Sequence, residues 1–301
     1  MSTPVKTIVA TGASSGLGFE LVRQLLTQQS QAYNFILGAR DIPRTQAAYD
    51  AIKFDSAKHR VTILPLELAD LEITKTFAQQ ALQSLGQDRV DCLLLNAGMG
   101  VGVDKPGRHG SKWCENYIVN YLSQHYLIHL LRDKLVSSSS RIVIVSSGTV
   151  RKIQDPSALD RELLPNPGTT GLEMYARSKF VQLLSVHWWR RQLAGAGCKV
   201  LAVSPGLVPD TKIWEGSGIK VSMDMPDAKT VSEGTDKVDA GAENILRAVT
   251  IDDFPEDPEQ VFLTSWGEWW PKDVYAKSLD QELQDKWCLS RDEIEREEGV
   301  S

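Results

Sequence analysis

VKTIVATGASSGLGFELVRQLL, residues 5–26, decides the fold. It starts with an apolar, β-branched run that is too short for an independent helix. Glycines follow at 12, 16 and 18, and an amphipathic stretch begins at once. Strand, glycine turn and helix in that order leave unpaired N–H groups and a positive dipole end at the mouth of the turn. The glycines permit a tight turn and a close backbone approach, which a pyrophosphate requires. Gly12, Ser14, Ser15, Gly16, Leu17 and Gly18 are therefore candidate cofactor contacts. Three glycines alone also fit a plain turn, but their place after the first strand of an alternating chain favours a nucleotide.

The alternation continues downstream. Apolar runs recur at 33–39, 60–66, 89–95, 141–146, 199–204 and 260–265, with helical patterns near 17–29, 43–55, 71–85, 112–136, 173–195 and 238–249. This predicts an α/β fold: a doubly wound, seven-stranded parallel sheet with helices on both faces, a Rossmann fold. We expect one domain over 1–301, with a core at 5–265, a substrate lid at 206–237 and a C-terminal extension at 266–301. Segments 151–172 and 206–237 are irregular and leave the carboxyl ends of strands, so both are expected as pocket walls. Serines 137–140 are expected to form a polar surface turn. In the extension, Trp266, Trp269 and Trp270 either line a lipophilic site or pin the tail to the core, with packing the favoured reading.

Composition narrows the function. Of 301 residues, 42% are hydrophobic and 24% charged, as in a soluble globular protein. A net charge of −6 argues against a nucleic-acid binder held by phosphate contacts. The N-terminus does not read as a signal peptide and no apolar run approaches the ~20 residues of a membrane span, so a cytoplasmic protein is expected. Cys92, Cys114, Cys198 and Cys288 form no C-x-x-C pair and have no histidines at zinc spacing, so no metal site is expected. Cys92 and Cys198 read as buried strand thiols, and His125, His129 and His187 as packing residues.

Two further patterns carry chemistry. Tyr175 and Lys179 stand four residues apart on a predicted helix, hence on one face. An ammonium beside a phenol favours the phenolate and lowers a pKa otherwise near ~10, which suits proton transfer to a substrate oxygen. The second strand ends Gly38-Ala39-Arg40-Asp41. Ala39 stands where an acid would hold the ribose of NAD, and Arg40 can pair with a 2′-phosphate, so NADP(H) is the expected cofactor. Asp41 would neutralise Arg40 or face the ribose itself.

In these motifs the chain resembles the short-chain dehydrogenase/reductase superfamily over roughly residues 5–265. Thr11 to Gly18 matches its T-G-x-x-x-G-x-G, Leu95-Asn96-Ala97-Gly98 its N-N-A-G, and Tyr175 to Lys179 its Y-x-x-x-K. The resemblance implies that Asn120, Ser147, Tyr175 and Lys179 are catalytic, with Asn120 anchoring a water that links Lys179 to solvent. It also implies cofactor contacts at Glu67, Leu68, Asn96, Ala97, Gly98, Tyr175, Lys179, Pro205, Gly206, Val208 and Thr211. Glu67-Leu68 departs from the family's Asp-Leu or Asp-Val, and 28 positions separate Ser147 from Tyr175, more than usual in the family. That insertion is similar to the branch holding retinol dehydrogenases, protochlorophyllide reductases and fungal secondary-metabolism reductases.

The implied activity is NADPH-dependent reduction of a ketone or aldehyde on a lipophilic small molecule, in secondary metabolism. Alcohol oxidation and C=C reduction use the same site. A catalytically silent NADPH-binding scaffold is the reading from another class. Trp214, Met223 and Met225 in the lid point to apolar substrate contact. Relatives pair through helices 112–136 and 173–195, which the insertion and tail could cover, so monomer and homo-oligomer both stay open.

Overall fold

Each central strand is buried on both faces and sends alternate residues to opposite sides. In β1 (Lys6–Thr11), Ile8 and Ala10 enter one core and Val9 the other. The computed structural model describes residues 4–28, 30–208, 211–215 and 237–301. After β1 come α1 (Gly16–Thr27), β2 (Tyr33–Ala39), α2 (Ile42–Asp50), β3 (Arg60–Pro65), α3 (Leu71–Leu85) and β4 (Cys92–Leu95). Then follow α4 (Glu115–Tyr117), a π-helical turn (Ile118–Leu122), α5 (Ser123–Ser137), β5 (Arg141–Val145), α6 (Leu159–Glu162) and α7 (Gly171–Gln192). The chain closes with β6 (Lys199–Val203), α8 (Lys237–Thr250), β7 (Phe262–Leu263), α9 (Gln281–Trp287) and α10 (Arg291–Glu298).

The sheet is parallel throughout, in the order β3-β2-β1-β4-β5-β6-β7. Strand order reverses between β1 and β4, and a doubly wound sheet binds its ligand at that reversal. The expected architecture is therefore the observed one. Leu21, Val22 and Leu25 of α1 pack with Ala242 and Ile245 of α8 in one core. Phe77 of α3, Leu127 of α5 and Val181 of α7 belong to the other. No helix among the described residues is long and apolar enough to cross a membrane.

Three local expectations need correction. The helix predicted at 112–136 is broken into α4, the π turn and α5. Asn116 and Asn120 explain the break, since both side chains reach sideways to the Met99 carbonyl at 2.9 and 3.0 Å. The serine turn is not a surface one. Ser138 and Ser140 are buried, the Ser138 hydroxyl accepting from Val90 N–H at 3.1 Å and the Ser140 hydroxyl donating to the Val90 carbonyl at 2.5 Å. Cys198 is only half-buried and lies one residue ahead of β6.

The extension lies across α5 and α7. Tyr121 in the π turn donates to the Trp287 carbonyl at 2.6 Å, and the Tyr126 hydroxyl reaches Glu295 at 2.7 Å. His125 and His129 both contact the Leu289 carbonyl, at 2.9 and 3.0 Å, and His187 meets the Ser278 hydroxyl at 3.1 Å. Those three histidines are packing residues, as expected.

Candidate active site

The carboxyl ends of the central strands open on a cleft of about 650 Å³. At one end β1 delivers the glycine loop, with Gly12 at φ +67° and Gly16 at φ +56°. A Cβ on Gly12 would lie 2.7 Å from the Ala97 backbone, and one on Gly18 would collide with the Gly12 carbonyl. A Cβ on Gly16 would meet nothing within 4 Å. Gly12 and Gly18 are thus small for the protein's own packing, and Gly16 turns its bare face to the cleft. The Asn96 amide donates to the Gly12 carbonyl at 2.8 Å, and Ala97 N–H to the Thr11 hydroxyl at 3.2 Å, so the end of β4 fixes the loop. At the N-cap of α1, Ser15 makes no side-chain cap bond and the first turn holds no acid. Its N–H groups and dipole end are left for an anion. The residues fit the pyrophosphate of the expected dinucleotide, and Ser14, Ser15 and Leu17 border the same cleft.

The second strand leads to the ribose end. Arg40 borders the cleft, is exposed, and has no ion-pair or hydrogen-bond partner among the described residues. Asp41 does not pair with it. Its carboxylate accepts Arg44 N–H at 3.0 Å and caps α2. The Arg44 side chain borders the cleft beside Arg40, a second cation that the sequence reading missed. Its place in the first turn of α2, just beyond the end of β2, was the available signal. Glu67 and Leu68 line the cleft, with Glu67 accepting Ala69 N–H at 3.1 Å and lying 3.9 Å from the Arg108 guanidinium.

At the other end β5 and α7 converge. Ser147 follows β5 and caps a short 3-10 turn, its hydroxyl accepting Thr149 N–H at 3.2 Å. A capping box between Thr170 and Glu173 starts α7, and Tyr175 and Lys179 then share a face. The Ser147 side chain acts on the Tyr175 phenol and favours its ionised form. The Lys179 ammonium donates to the Val145 carbonyl at 2.8 Å and lies 5.6 Å from the centre of the Tyr175 ring.

The electrostatics reverse one expectation. Burial pushes the phenol up to about 12, opposed by the nearby Ser147 side chain, and pushes the Lys179 ammonium down to about 7. The lysine was expected to draw the phenol down. Both groups are largely buried at the cleft wall, so each favours its neutral form, and an ammonium uncharged half the time near pH 7 exerts little pull.

Asn120 sits inside the π turn, fully buried. Its amide donates to the Met99 carbonyl, Asn116 and Ser178, and its side-chain oxygen accepts Met99 N–H at 2.8 Å. The Gln182 side chain joins the Asn120 main-chain carbonyl to Lys179, at 2.9 Å to the carbonyl and 3.2 Å to the ammonium. Sequence reasoning missed Gln182, although it stands three residues beyond Lys179 and so shares its face of α7.

Other assigned contacts divide. Gly98, Pro205 and Thr211 border the cleft, although the Thr211 hydroxyl already donates to the Val208 carbonyl at 3.0 Å. Gly18, Gly206, Val208, Asn120 and Ser147 do not border it. Gly18 lies beneath Gly12, Val208 is buried against Gly241, and Ser147 adjoins the cleft residue Ser146. No residue of 151–172 borders it either. That insertion buries its own Leu159 and Leu163, and Lys277 of the extension donates to its Ile153 and Gln154 carbonyls. Trp214 stands edge-on to Tyr175, centroids 4.9 Å apart. Met223, Met225 and most of the expected lid lie outside the described residues. Trp266, Trp269 and Trp270 do not reach the cleft. Trp270 packs on Phe262 at 4.6 Å and against Gly148, Trp269 on Phe254 at 5.7 Å, and Trp266 is 52% exposed.

Comparisons with known proteins agree with this architecture. A short-chain dehydrogenase/reductase of Pestalotiopsis microspora is 57% identical over 96% of this chain and 98% of its own length. Human retinol dehydrogenase 13 is 30% identical over 72% of this chain, which spans 62% of that protein. Among solved structures, an NADPH-bound carbonyl reductase from chicken fatty liver superposes with a TM-score of 0.64 at 20% identity, covering 88% of this chain and 94% of that one. At that identity the likeness concerns the fold. The short chain dehydrogenase family model matches residues 6–156, so the chain belongs to the short-chain dehydrogenase family of oxidoreductases.

Proposed function

We propose that this oxidoreductase reduces a ketone or aldehyde on a lipophilic small molecule, with NADP(H) as cofactor and Tyr175 as proton donor. The observation that carries the reading is Tyr175 and Lys179 on one face of α7, both bordering a cleft whose other end holds the glycine loop. NADPH, when bound, supplies the hydride. The glycine loop and the α1 N-terminus would hold its phosphates, and Arg40 with Arg44 its 2′-phosphate. Glu67 and Leu68 would meet the adenine, and Asn96, Ala97, Gly98, Pro205 and Thr211 would position the nicotinamide half.

The chain's own groups then manage one oxygen and one proton. Ser147, next to Ser146 at the cleft wall, would donate to the substrate carbonyl oxygen and orient it once the substrate reaches past Ser146. A phenol held above its ordinary range keeps its proton across the neutral range and yields it to a base as strong as a developing alkoxide. The product hydroxyl proton therefore comes from the Tyr175 oxygen, and Lys179, when charged, stabilises the phenolate left behind. Segment 206–237 would close over the substrate, with Trp214 as its described part. A place in secondary metabolism follows from resemblance alone.

The test is NADPH consumption with a panel of aliphatic and aromatic carbonyl compounds. Tyr175→Phe should cut kcat by at least ~10²-fold and leave NADPH affinity nearly intact. Near-normal turnover in that variant would remove Tyr175 from the chemistry. NADPH binding without consumption across the panel would favour the silent scaffold.

A further inference from the structure

We propose that Gln182 is a positioning residue for Lys179, its side-chain amide tying the ammonium directly to the Asn120 carbonyl. The inference rests on the reading of Tyr175 and Lys179 as the proton-handling pair. Gln182 is 2% exposed and stands three residues beyond Lys179 on the same face of α7. Its oxygen accepts from the ammonium at 3.2 Å, and its nitrogen donates to the Asn120 carbonyl at 2.9 Å. The orientation is forced, since an ammonium offers only protons and a carbonyl only lone pairs.

The count of donors gives the residue its role. Of three ammonium protons, one goes to the Val145 carbonyl and one to Gln182, which leaves one for the cleft that Lys179 borders. Without Gln182 the ammonium has one fixed protein partner and can swing about it. Tyr175, from the same helix, is the titratable group facing it. β5 presents the Val145 carbonyl, the π turn the Asn120 carbonyl through Gln182, and the loop after β4 the Gly98 backbone, all uncharged. An amide passes no net proton between its neighbours, as a water can.

Three variants of the full-length protein test this: Q182L, Q182N and Q182E. We measure the pH dependence of kcat and, separately, of NADPH affinity from its fluorescence on binding. Q182L removes an acceptor from the ammonium and Q182N is one methylene too short. Both should lose about tenfold in kcat near pH 7, keep the carbonyl KM within about twofold, and move the Lys179-dependent midpoint to lower pH. Q182E places a carboxylate on the ammonium and should move that midpoint up by about one unit or more. Opposite shifts in the two profiles support the role, because a merely structural residue would lower activity without moving midpoints in opposite directions. Midpoints unchanged in Q182E and in either neutral variant would overturn it. Should Q182L not fold, Q182N and Q182E decide. Failure of the underlying reading looks different, because there Tyr175→Phe keeps full turnover or the unaltered protein binds NADPH without consuming it.

Discussion

The seam between the extension and helices α5 and α7 should make the protein sensitive to mild acid. His125, His129 and His187 are held neutral there by burial, which pushes them down to about 3, about 4 and about 3. Proximity adds to this at His125, whose ring lies 3.2 Å from that of His129 and already accepts the Trp189 indole N–H at 2.9 Å. In the unfolded chain an imidazole titrates near ~6.5. Between pH 7.5 and 5.5 each unfolded imidazole takes up about one proton that its folded counterpart refuses. The linkage cost is ~1.4 kcal/mol per group and ~4 kcal/mol for three. The sign follows from the depressed folded values: stability is present above ~6.5 and falls as pH drops toward the folded pKa. Lys179 adds in the same direction, since its folded form is still charging near pH 7. Paired carboxylates such as Glu295, lowered to about 2, act chiefly below ~5, and Glu298, raised by burial, works the other way. Urea unfolding followed by tryptophan fluorescence should therefore show a midpoint lower by ~1 M or more at pH 5.5 than at 7.5, for an m-value of roughly 3 kcal/mol/M. His187→Gln should remove about a third of that difference. A shift below ~0.3 M, or an undiminished shift in a His129→Gln/His187→Gln variant, would refute the argument.

Three other outcomes are expected. Arg40→Ala should weaken NADPH by roughly 5- to 30-fold, a charge-assisted contact discounted for its exposure, and leave NADH affinity within about twofold; equal losses in fluorescence titrations would take Arg40 off the 2′-phosphate. Gly12→Ala should cost ~2 kcal/mol or more in denaturant unfolding, since its Cβ meets backbone at 2.7 Å, whereas Gly16→Ala should cost only ~1 kcal/mol yet weaken NADPH at least tenfold. The reverse ranking would mean that Gly16 does not face the phosphates. Trp270→Ala should lower kcat with little change in NADPH affinity, because Trp270 buttresses Gly148 beside Ser147; an unchanged kcat would show that the turn holds Ser147 unaided.

Most of the fold was readable because its signals are local. Periods of two and 3.6 marked seven strands and the main helices, and the alternation dictated a parallel sheet. The glycine loop was readable for the same reason, as three special residues within seven positions, 12 to 18. Signals carried by contact were not readable. The π turn depends on Asn116 and Asn120 finding the Met99 carbonyl, and nothing in VNYLSQHYL announces that partner. Ser138 and Ser140 look like surface serines until Val90 is brought against them. Asp41 read as a partner for Arg40 because the two are adjacent, but a cap bond to Arg44 N–H was open to it from the first turn of α2. The extension showed its composition but not its course, since the buried His125 and His187, the half-buried His129 and two carbonyl-seeking lysine contacts become visible only once it lies against α5, α7 and the insertion.

The error at the Tyr175–Lys179 pair has a different origin. Spacing on a helix establishes that two side chains meet, and they do. It gives no measure of the dielectric around them. In water an ammonium near a phenol would lower the phenol's pKa, but burying both penalises the two charged forms first, and attraction counts only to the extent that both charges exist. The sheet decides the balance by placing Lys179 on the Val145 carbonyl, with Gln182 behind it and no carboxylate among the described residues to keep it charged. A phenol that stays protonated and an ammonium poised near pH 7 make a donor that is loaded at rest and reloadable at little cost. Proton transfer to a reduced carbonyl needs that order of events, and a standing phenolate would have nothing to give.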